Sequence, residues 1–215
     1  MKVLICTDAW YPQVNGVCRT LKNLGDELKK IGHDVEYIEP NLFFTIPMPK
    51  YNEIKLSLNV WPRVGTLIKK AKADVVHIAT EGPIGIFAKR YCVKNNIKFT
   101  TSYHTQFDKY LKLYYPYLPI KLAQKFLKNF HKKAEKILVT TQSMKEELEE
   151  IGFNKDQMVV WTRGANHSSF QNPKKINLEY KRPIFLYVGR VSIEKNIRAF
   201  LDLDLDGTKL IVGKG

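Results

Sequence analysis

The sequence predicts an α/β protein with a doubly wound parallel sheet, followed by the incomplete beginning of a second domain of the same kind. The first observation is that short apolar runs, typical of buried strands, alternate with amphipathic stretches typical of helices. The second is that strands separated by helices in this way pair in parallel and are covered on both faces. The third is that the alternation starts again after a polar stretch, residues 171–182.

Six predicted strands belong to the larger part, because each is a short apolar segment bounded by turn residues. They are Val3–Cys6, Val35–Ile38, Asp74–Ala79, Ile97–Ser102, Lys136–Thr140 and Met158–Trp161. Helices are predicted between them from apolar spacing and from residues that begin or end helices. One begins near Val17, one begins at Pro83, and a third follows a capping box formed by Ser143 and Glu146.

The predicted organisation is a first domain over residues 1–170, a linker over residues 171–182 and the truncated beginning of a second domain over residues 183–215. The last part offers a strand at Ile184–Val188, a helix at Glu194–Leu201 and a strand at Lys209–Val212. Two strands and one helix bury little surface, so this part either docks on the first domain or continues in a longer protein, and we expect the second.

Composition excludes an integral membrane protein. Of the 215 residues, 44% are hydrophobic and 26% are charged, which is ordinary for a globular protein. The longest hydrophobic run, Ile184–Val188, is far shorter than the roughly 20 residues that span a bilayer. Asp8 follows too soon after the first residue for a secretory leader. We therefore expect a cytoplasmic protein whose three cysteines, which have no close spacing, are free thiols and hold no metal.

The net charge of +14 predicts a polyanionic partner. Leu118–Lys136 is predicted to be a basic amphipathic helix with six lysines around an apolar face that includes Phe126. Such a helix either docks on an anionic membrane surface or packs its apolar face on the sheet with the lysines in solvent, and the sequence leaves both open. Nucleic acid is not expected as a partner, because the basic residues form no recognised reading motif.

Candidate site residues follow strands, because ligands of an open parallel sheet bind outside the carboxyl ends of its strands. After the first strand, Asn15-Gly16-Val17 opens a helix whose free N–H groups suit an anion or a hydroxyl. This loop lacks the glycine spacing of nicotinamide and flavin sites. His104 follows a later strand and can donate a hydrogen bond to a sugar hydroxyl or a developing anion. A structural turn and a structural histidine remain the alternatives.

In the last part of the chain, Gly189, Arg190 and Lys195 follow the strand Ile184–Val188. The next predicted helix begins near Lys195. The forked guanidinium of arginine and the compact charge of lysine are suited to binding a diphosphate there. The alternative is that both cations are simply solvated.

Together, several segments resemble glycosyltransferase family 4, and within it bacterial mannosyl- and sulfoquinovosyltransferase-like enzymes that act on lipids. The segments occur in the family's order and are Asp8–Thr20, His77–Pro83, Thr101–Thr105 and Tyr187–Asn196. The resemblance implies the GT-B fold, in which two Rossmann-like domains face each other across a cleft. The first domain would bind the acceptor and the second the nucleotide-sugar.

The resemblance also implies a retaining hexosyl transfer to a membrane lipid or glycan at the inner face of the cell membrane, with no metal or other cofactor. The loop by the sugar and phosphates would be Asn15, Gly16 and Val17. The catalytic and donor-binding residues would be His104, Gly189, Arg190 and Lys195.

Two departures from the family pattern weaken this expectation for the 215 residues alone. Trp161–Asn166 ends in Ala165 and Asn166, where the family usually has Val and Asp, so a charge is missing. The chain also ends before the family's Glu-x7-Glu segment, which grips the nucleotide and sugar. The alternative is a non-catalytic domain that binds an acceptor or a membrane.

Overall fold

The computed structural model describes residues 1–13, 15–48, 51–104, 117, 119–164, 171 and 178–214. By its internal contacts the chain divides into two compact units. The first unit holds the described residues up to His104 and those from Lys121 to Gly164. The second holds residues 178–214 together with the described residues at 117, 119, 120 and 171.

A six-stranded parallel sheet forms the centre of the first unit, which confirms the predicted fold class. The strands of this unit are β1 (Lys2–Cys6), β2 (Asp34–Ile38), β3 (Thr45–Met48), β4 (Tyr51–Ser57), β5 (Val75–Ile78), β6 (Phe99–Tyr103), β7 (Ile137–Val139) and β8 (Met158–Val160). Their order in the large sheet is β2-β1-β5-β6-β7-β8, and β3 and β4 form a separate antiparallel pair.

Helices cover both faces of this sheet. They are α1 (Gly16–Lys30), α2 (Arg63–Ala71), α3 (Pro83–Lys94), α4 (Ile120–His131) and α5 (Gln142–Glu150). Successive strand residues point to opposite faces. Val3 and Ile5 of β1 therefore pack with α1, while Leu4 and Cys6 belong to the larger cluster that also includes residues of α2, α3, α4 and α5.

Two local predictions for this unit were wrong. The capping residue of α5 is Thr141, whose hydroxyl accepts a hydrogen bond from Met144 N at 3.1 Å, and not Ser143. Thr141 and Ser143 both have hydroxyl groups, but the helix begins at Gln142, so the residue directly before it, Thr141, is the cap. Phe126 was placed on the apolar face of α4, but 41% of it is exposed, while Leu127 and Phe130 of the same helix are buried.

In the second unit, β9 (Ile184–Val188) pairs in parallel with β10 (Thr208–Val212). The predicted helix Glu194–Leu201 begins later than expected. Residues Ile193–Lys195 form a 3-10 turn, Asn196 has a φ of +45°, and α6 covers only Ile197–Leu201. Half of the predicted linker, residues 172–177, lies outside the described residues, so the domain boundaries at 170 and 182 remain predictions.

Within the described ranges, no helix combines the length and the apolar content that crossing a membrane requires. Cys6, Cys18 and Cys92 are buried and free.

Candidate functional site

The strand order places a crevice between the ends of β1 and β5. The chain goes from β1 to β2 on one side and returns to β5 on the other side of β1. In open parallel sheets this switch point is where ligands bind, outside the carboxyl ends of the strands. The residues that follow β1, β5, β6 and β8 therefore form the candidate site of the first unit, which we call the carboxyl edge.

Asp8 occupies the N-terminus of α3 within this crevice. Its carboxylate oxygens accept hydrogen bonds from the backbone N–H groups of Ile84, at 2.8 Å, and Gly85, at 3.2 Å. The hydroxyl of Thr80 donates to the same carboxylate at 2.9 Å. Burial raises the pKa of Asp8 to about 6, and the three hydrogen bonds oppose that rise. An internal carboxylate thus satisfies the helix end that could otherwise bind an external anion.

Gly82 makes the position of Asp8 possible. A Cβ atom on Gly82 would lie 2.4 Å from Cγ of Asp8, closer than real side chains approach. The segment before α3 must therefore carry glycine here if the carboxylate is to reach the helix. Asp8 fixes the loop after β5 relative to the loop after β1 and belongs to the framework of the site.

His104 lies directly after β6 at the carboxyl edge. Its Nε2 atom is buried and has no hydrogen-bond partner in the described part of the chain. Burial, and secondarily the charge of Arg163, lowers the pKa of His104 to about 3. The ring is therefore neutral at physiological pH, with one nitrogen that donates and one that accepts. A buried polar atom of this kind costs free energy unless a ligand or water pairs with it.

Arg163, which the sequence analysis did not single out, lies beside His104. Its guanidinium donates to the backbone oxygen of His104 at 3.2 Å, and its Nε is buried without a partner among the described residues. Burial lowers the pKa of Arg163. The ring of Trp161 lies 6.3 Å from that of His104, between centroids. The sequence signal that could have identified Trp161 and Arg163 is their position directly after β8. Ala165 and Asn166 lie outside the described residues.

Beneath the carboxyl edge, two buried histidines, His77 of β5 and His131 of α4, contact residues of neighbouring elements. The Nδ1 atom of His77 lies 2.8 Å from the hydroxyl of Thr100, and its Nε2 lies 3.0 Å from that of Ser102. Burial lowers the pKa of His77 to about 4, so this ring is also neutral. On the opposite face of the sheet, Nε2 of His131 lies 3.3 Å from a carboxylate oxygen of Glu81. These groups support the strand ends.

Asn15 and Gly16 lie where the sequence analysis placed them, at the start of α1. Asn15 is the capping residue, and its side-chain oxygen accepts from Cys18 N at 2.9 Å. A Cβ on Gly16 would meet nothing within 4 Å, so the space in front of this turn is open. The first N–H groups of α1 have no partner within the helix. Val17 is different, because it packs partly buried against the cluster around β1.

The remaining predicted residues belong to the second unit. Gly189 follows β9, and its N–H donates to Val212 O at 3.0 Å. The guanidinium of Arg190 lies 3.6 Å from the carboxylate of Glu194, an ion pair that the sequence analysis did not predict. Lys195 is exposed at the end of the 3-10 turn. The predicted site residues therefore fall into two groups, one in each unit.

No group of three or more His, Cys, Asp or Glu side chains within the described ranges is arranged to hold a metal ion. The carboxyl edge instead offers a neutral imidazole, a guanidinium and an open helix start. Such groups can bind hydroxyls and anions by hydrogen bonds and charge.

The sequence model of Glycosyltransferase Family 4 matches residues 14–169. The chain belongs to glycosyltransferase family 4. It is 26% identical to the sulfoquinovosyl transferase SQD2 of Arabidopsis thaliana, a match that covers 83% of this chain and 38% of that protein. It is 22% identical to the alpha-monoglucosyldiacylglycerol synthase of Streptococcus pneumoniae, covering 94% of this chain and 51% of that protein.

Among solved structures, Anabaena HepE in complex with UDP and glucose matches with a TM-score of 0.62 at 11% sequence identity. That match covers 98% of this chain and 60% of HepE, and it shows a shared fold. The chain thus spans from about two fifths to three fifths of the proteins it resembles.

Proposed function

We propose that this chain is the acceptor-binding part, with the beginning of the donor-binding part, of a retaining glycosyltransferase. The enzyme transfers a glucose- or mannose-type hexose from a nucleotide-sugar to a membrane lipid. The observation that carries the proposal is the neutral, largely buried His104 beside Arg163, with an unpartnered Nε2 at the carboxyl edge. Family membership and the names of the relatives support the donor and acceptor classes.

His104 contacts the transferred sugar in this proposal. Because its ring is neutral, it exchanges hydrogen bonds with a sugar hydroxyl without adding a charge to the site. Asn15 and Gly16 lie by the sugar and the phosphates, because α1 begins there and the space in front of Gly16 is open. Val17 supports this turn from behind, through its packing on the cluster around β1.

Arg190 and Lys195 hold the donor diphosphate, and Gly189 lets the backbone approach it. Their charges stabilise the departing diphosphate, so that catalysis consists of positioning and charge stabilisation. The donor is a substrate, and we propose no metal and no other cofactor. Nucleic acid is not part of the proposal, because the basic residues of the sequence form no recognised nucleic-acid-reading motif.

We propose that the enzyme is a peripheral membrane protein, located on the anionic cytoplasmic face of the cell membrane. The exposed side of α4 supports this part of the proposal. It carries Leu122, 57% exposed, and Phe126, 41% exposed. Exposed lysines lie around them, and they are Lys121, Lys125 and Lys128. Basic side chains around exposed apolar ones are typical of peripheral membrane helices.

The test measures hexose transfer by the native gene product, purified whole. UDP-glucose and GDP-mannose serve as donors and diacylglycerol in micelles as the acceptor. We expect one donor to give a glycolipid, and we expect His104→Ala to lower kcat/KM by about 100-fold, the size of a lost hydrogen bond to a reacting group. The matched control is His33→Ala, in the turn between α1 and β2, which should keep full activity. Unchanged activity in His104→Ala would remove His104 from the site, and the absence of any transfer would contradict the function.

A further inference from the structure

A groove of about 860 Å³ opens on the surface of the first unit between α3 and the end of α4. Its lining includes five basic residues and no acidic one. They are Lys89, Arg90, Lys94, Lys132 and Lys133. Within the described part of the chain, none of these five takes part in an ion pair. The groove is therefore a concentration of positive charge that the protein itself does not neutralise.

The walls of this groove are held together by specific contacts. The ammonium of Lys89 donates to the backbone oxygen of Asn129 and lies 5.7 Å from the ring centre of Phe130, which ties α3 to α4. The guanidinium of Arg90 lies 5.8 Å from the ring centre of Phe87. The groove thus exists before any ligand binds, and its cations stand against aromatic surfaces.

Exposed apolar side chains continue this groove at its rim. Trp61, which contributes to the lining, is 57% exposed and lies 6.2 Å from Phe87 between ring centroids. On α4, the helical repeat of 100° per residue places Leu122, Phe126 and Asn129 on one stripe that leads into the groove. A site that combines cations inside with apolar side chains at the rim matches a ligand with an anionic head and an apolar tail.

The groove is separate from the carboxyl edge. Helix α3 begins directly after β5, at the carboxyl edge, and its last residues lead back to the opposite end of the sheet, where β6 begins. The groove residues Lys89–Lys94 occupy this second half of α3. An acceptor at His104 and a ligand in the groove therefore occupy different places on the same unit.

We propose that this groove binds the headgroup of an anionic phospholipid and anchors the first unit on the membrane. The ligand is a bilayer lipid that is not consumed, distinct from the acceptor. The five cations bind the phosphate, while Trp61, Leu122 and Phe126 enter the region of the acyl chains. This inference rests on the membrane partner in the proposed function, but it does not depend on glycosyl transfer.

The experiment is flotation of the protein with vesicles of phosphatidylcholine alone or mixed with phosphatidylglycerol. The groove variant is Arg90→Gln with Lys133→Gln, two exposed positions. The control variant is Lys29→Gln with Lys30→Gln, two exposed lysines at the end of α1, which packs on the other face of the sheet. Both variants remove two charges. A third variant, Trp61→Gln, removes apolar surface at constant charge. Circular dichroism verifies that each variant is folded.

We expect the wild type and the control variant to float with phosphatidylglycerol vesicles and not with phosphatidylcholine alone. The groove variant should bind about tenfold to thirtyfold more weakly, since each basic residue near an anionic surface contributes a several-fold change. Trp61→Gln should also bind more weakly. Equal losses in the groove and control variants would overturn the assigned site, because general charge would then explain binding.

Binding that is insensitive to Trp61→Gln but competes with DNA would overturn the lipid as ligand in favour of a soluble polyanion. If the wild type does not float with phosphatidylglycerol vesicles, both the proposed lipid site in the groove and the proposed membrane partner are wrong. Hexose transfer to diacylglycerol in micelles is measured separately, so the transferase proposal stands or fails on its own result.

Discussion

The strands β1 and β9 begin the two units from the same kind of sequence, a short apolar run, yet their surroundings differ. In β1, Leu4 is 1% exposed and Ile5 is fully buried. In β9, Leu186 is 58% exposed and Val188 is 69% exposed. Strand β1 lies between two neighbours and has an apolar cluster on each face. Strand β9 pairs with β10 alone within the described residues.

The difference shows that an apolar run determines a strand but not its burial. Burial comes from the elements that pack on both faces, and a parallel strand is normally covered on both. Among the described residues of the second unit, only Ile197 is a buried hydrophobic residue. The first unit should therefore show cooperative stability that the second unit, taken by itself, does not share.

The largest expected effect is the substitution Leu127→Ala in the first unit. Leu127 of α4 is fully buried in the main cluster, so the change leaves a cavity and should lower the free energy of unfolding by about 2–5 kcal/mol. Urea unfolding followed by tryptophan fluorescence measures this unit specifically, because all three tryptophans (10, 61 and 161) belong to it.

The control for this measurement lies on the same helix. Leu122→Ala removes the same atoms from a side chain that is 57% exposed, and it should change the free energy of unfolding by less than about 0.5 kcal/mol. Similar losses in the two variants would mean that the exposed side of α4 is covered in the native protein. That result would also contradict the proposed membrane contact of Leu122.

An intermediate effect is expected from pH. Burial lowers the pKa of His77 to about 4 and that of His104 to about 3, from 6.5. Between pH 6.5 and the lowered pKa of each histidine, the unfolded chain binds more protons than the folded one. The contribution of these histidines to stability is therefore fully present above pH 6.5 and is lost as the pH falls. Asp8, with a pKa raised to about 6, acts in the opposite direction, because its contribution is lost as the pH rises toward 6. Because two histidines act in one direction and one carboxyl in the other, the net free energy of unfolding should fall as the pH falls.

We therefore expect the first unit to lose on the order of 1–3 kcal/mol between pH 6.5 and pH 4. Urea midpoints from tryptophan fluorescence across this range test the sign. His104→Gln should flatten the dependence, whereas the control His33→Gln should keep it. Stability that rises as the pH falls would mean that Asp8 dominates, and that the histidines are less buried than the structure shows.

The sequence predicted much of the fold because strand and helix signals are local. The apolar runs of β1, β5, β6, β7 and β8 could be identified directly, and so could the helix starts near Val17 and at Pro83. No element was assigned to residues 43–73, where the structure has β3, β4 and α2. The signal there was the alternation Ile54-Lys55-Leu56, which is typical of a strand with one exposed face.

The candidate site was predictable only in part, because its decisive contacts join distant residues. His104 could be placed from its position after a strand. The hydrogen bond from Ile84 N to Asp8 joins residues 76 positions apart, and that from Arg163 to the backbone of His104 joins residues 59 apart. Spacing in the sequence carries no sign of such contacts. They follow from strand order, which brings the ends of separate strands to one edge.

The smallest expected effect is Leu186→Ala in β9, the same chemical change as Leu127→Ala. Because Leu186 is 58% exposed, the change should cost less than about 0.5 kcal/mol. Amide hydrogen exchange of β9 and β10, followed by mass spectrometry on the native gene product, measures the local free energy of opening. A loss as large as that of Leu127→Ala would show that further protein covers β9. The difference between β1 and β9 would then belong to the 215 residues alone and not to the native gene product.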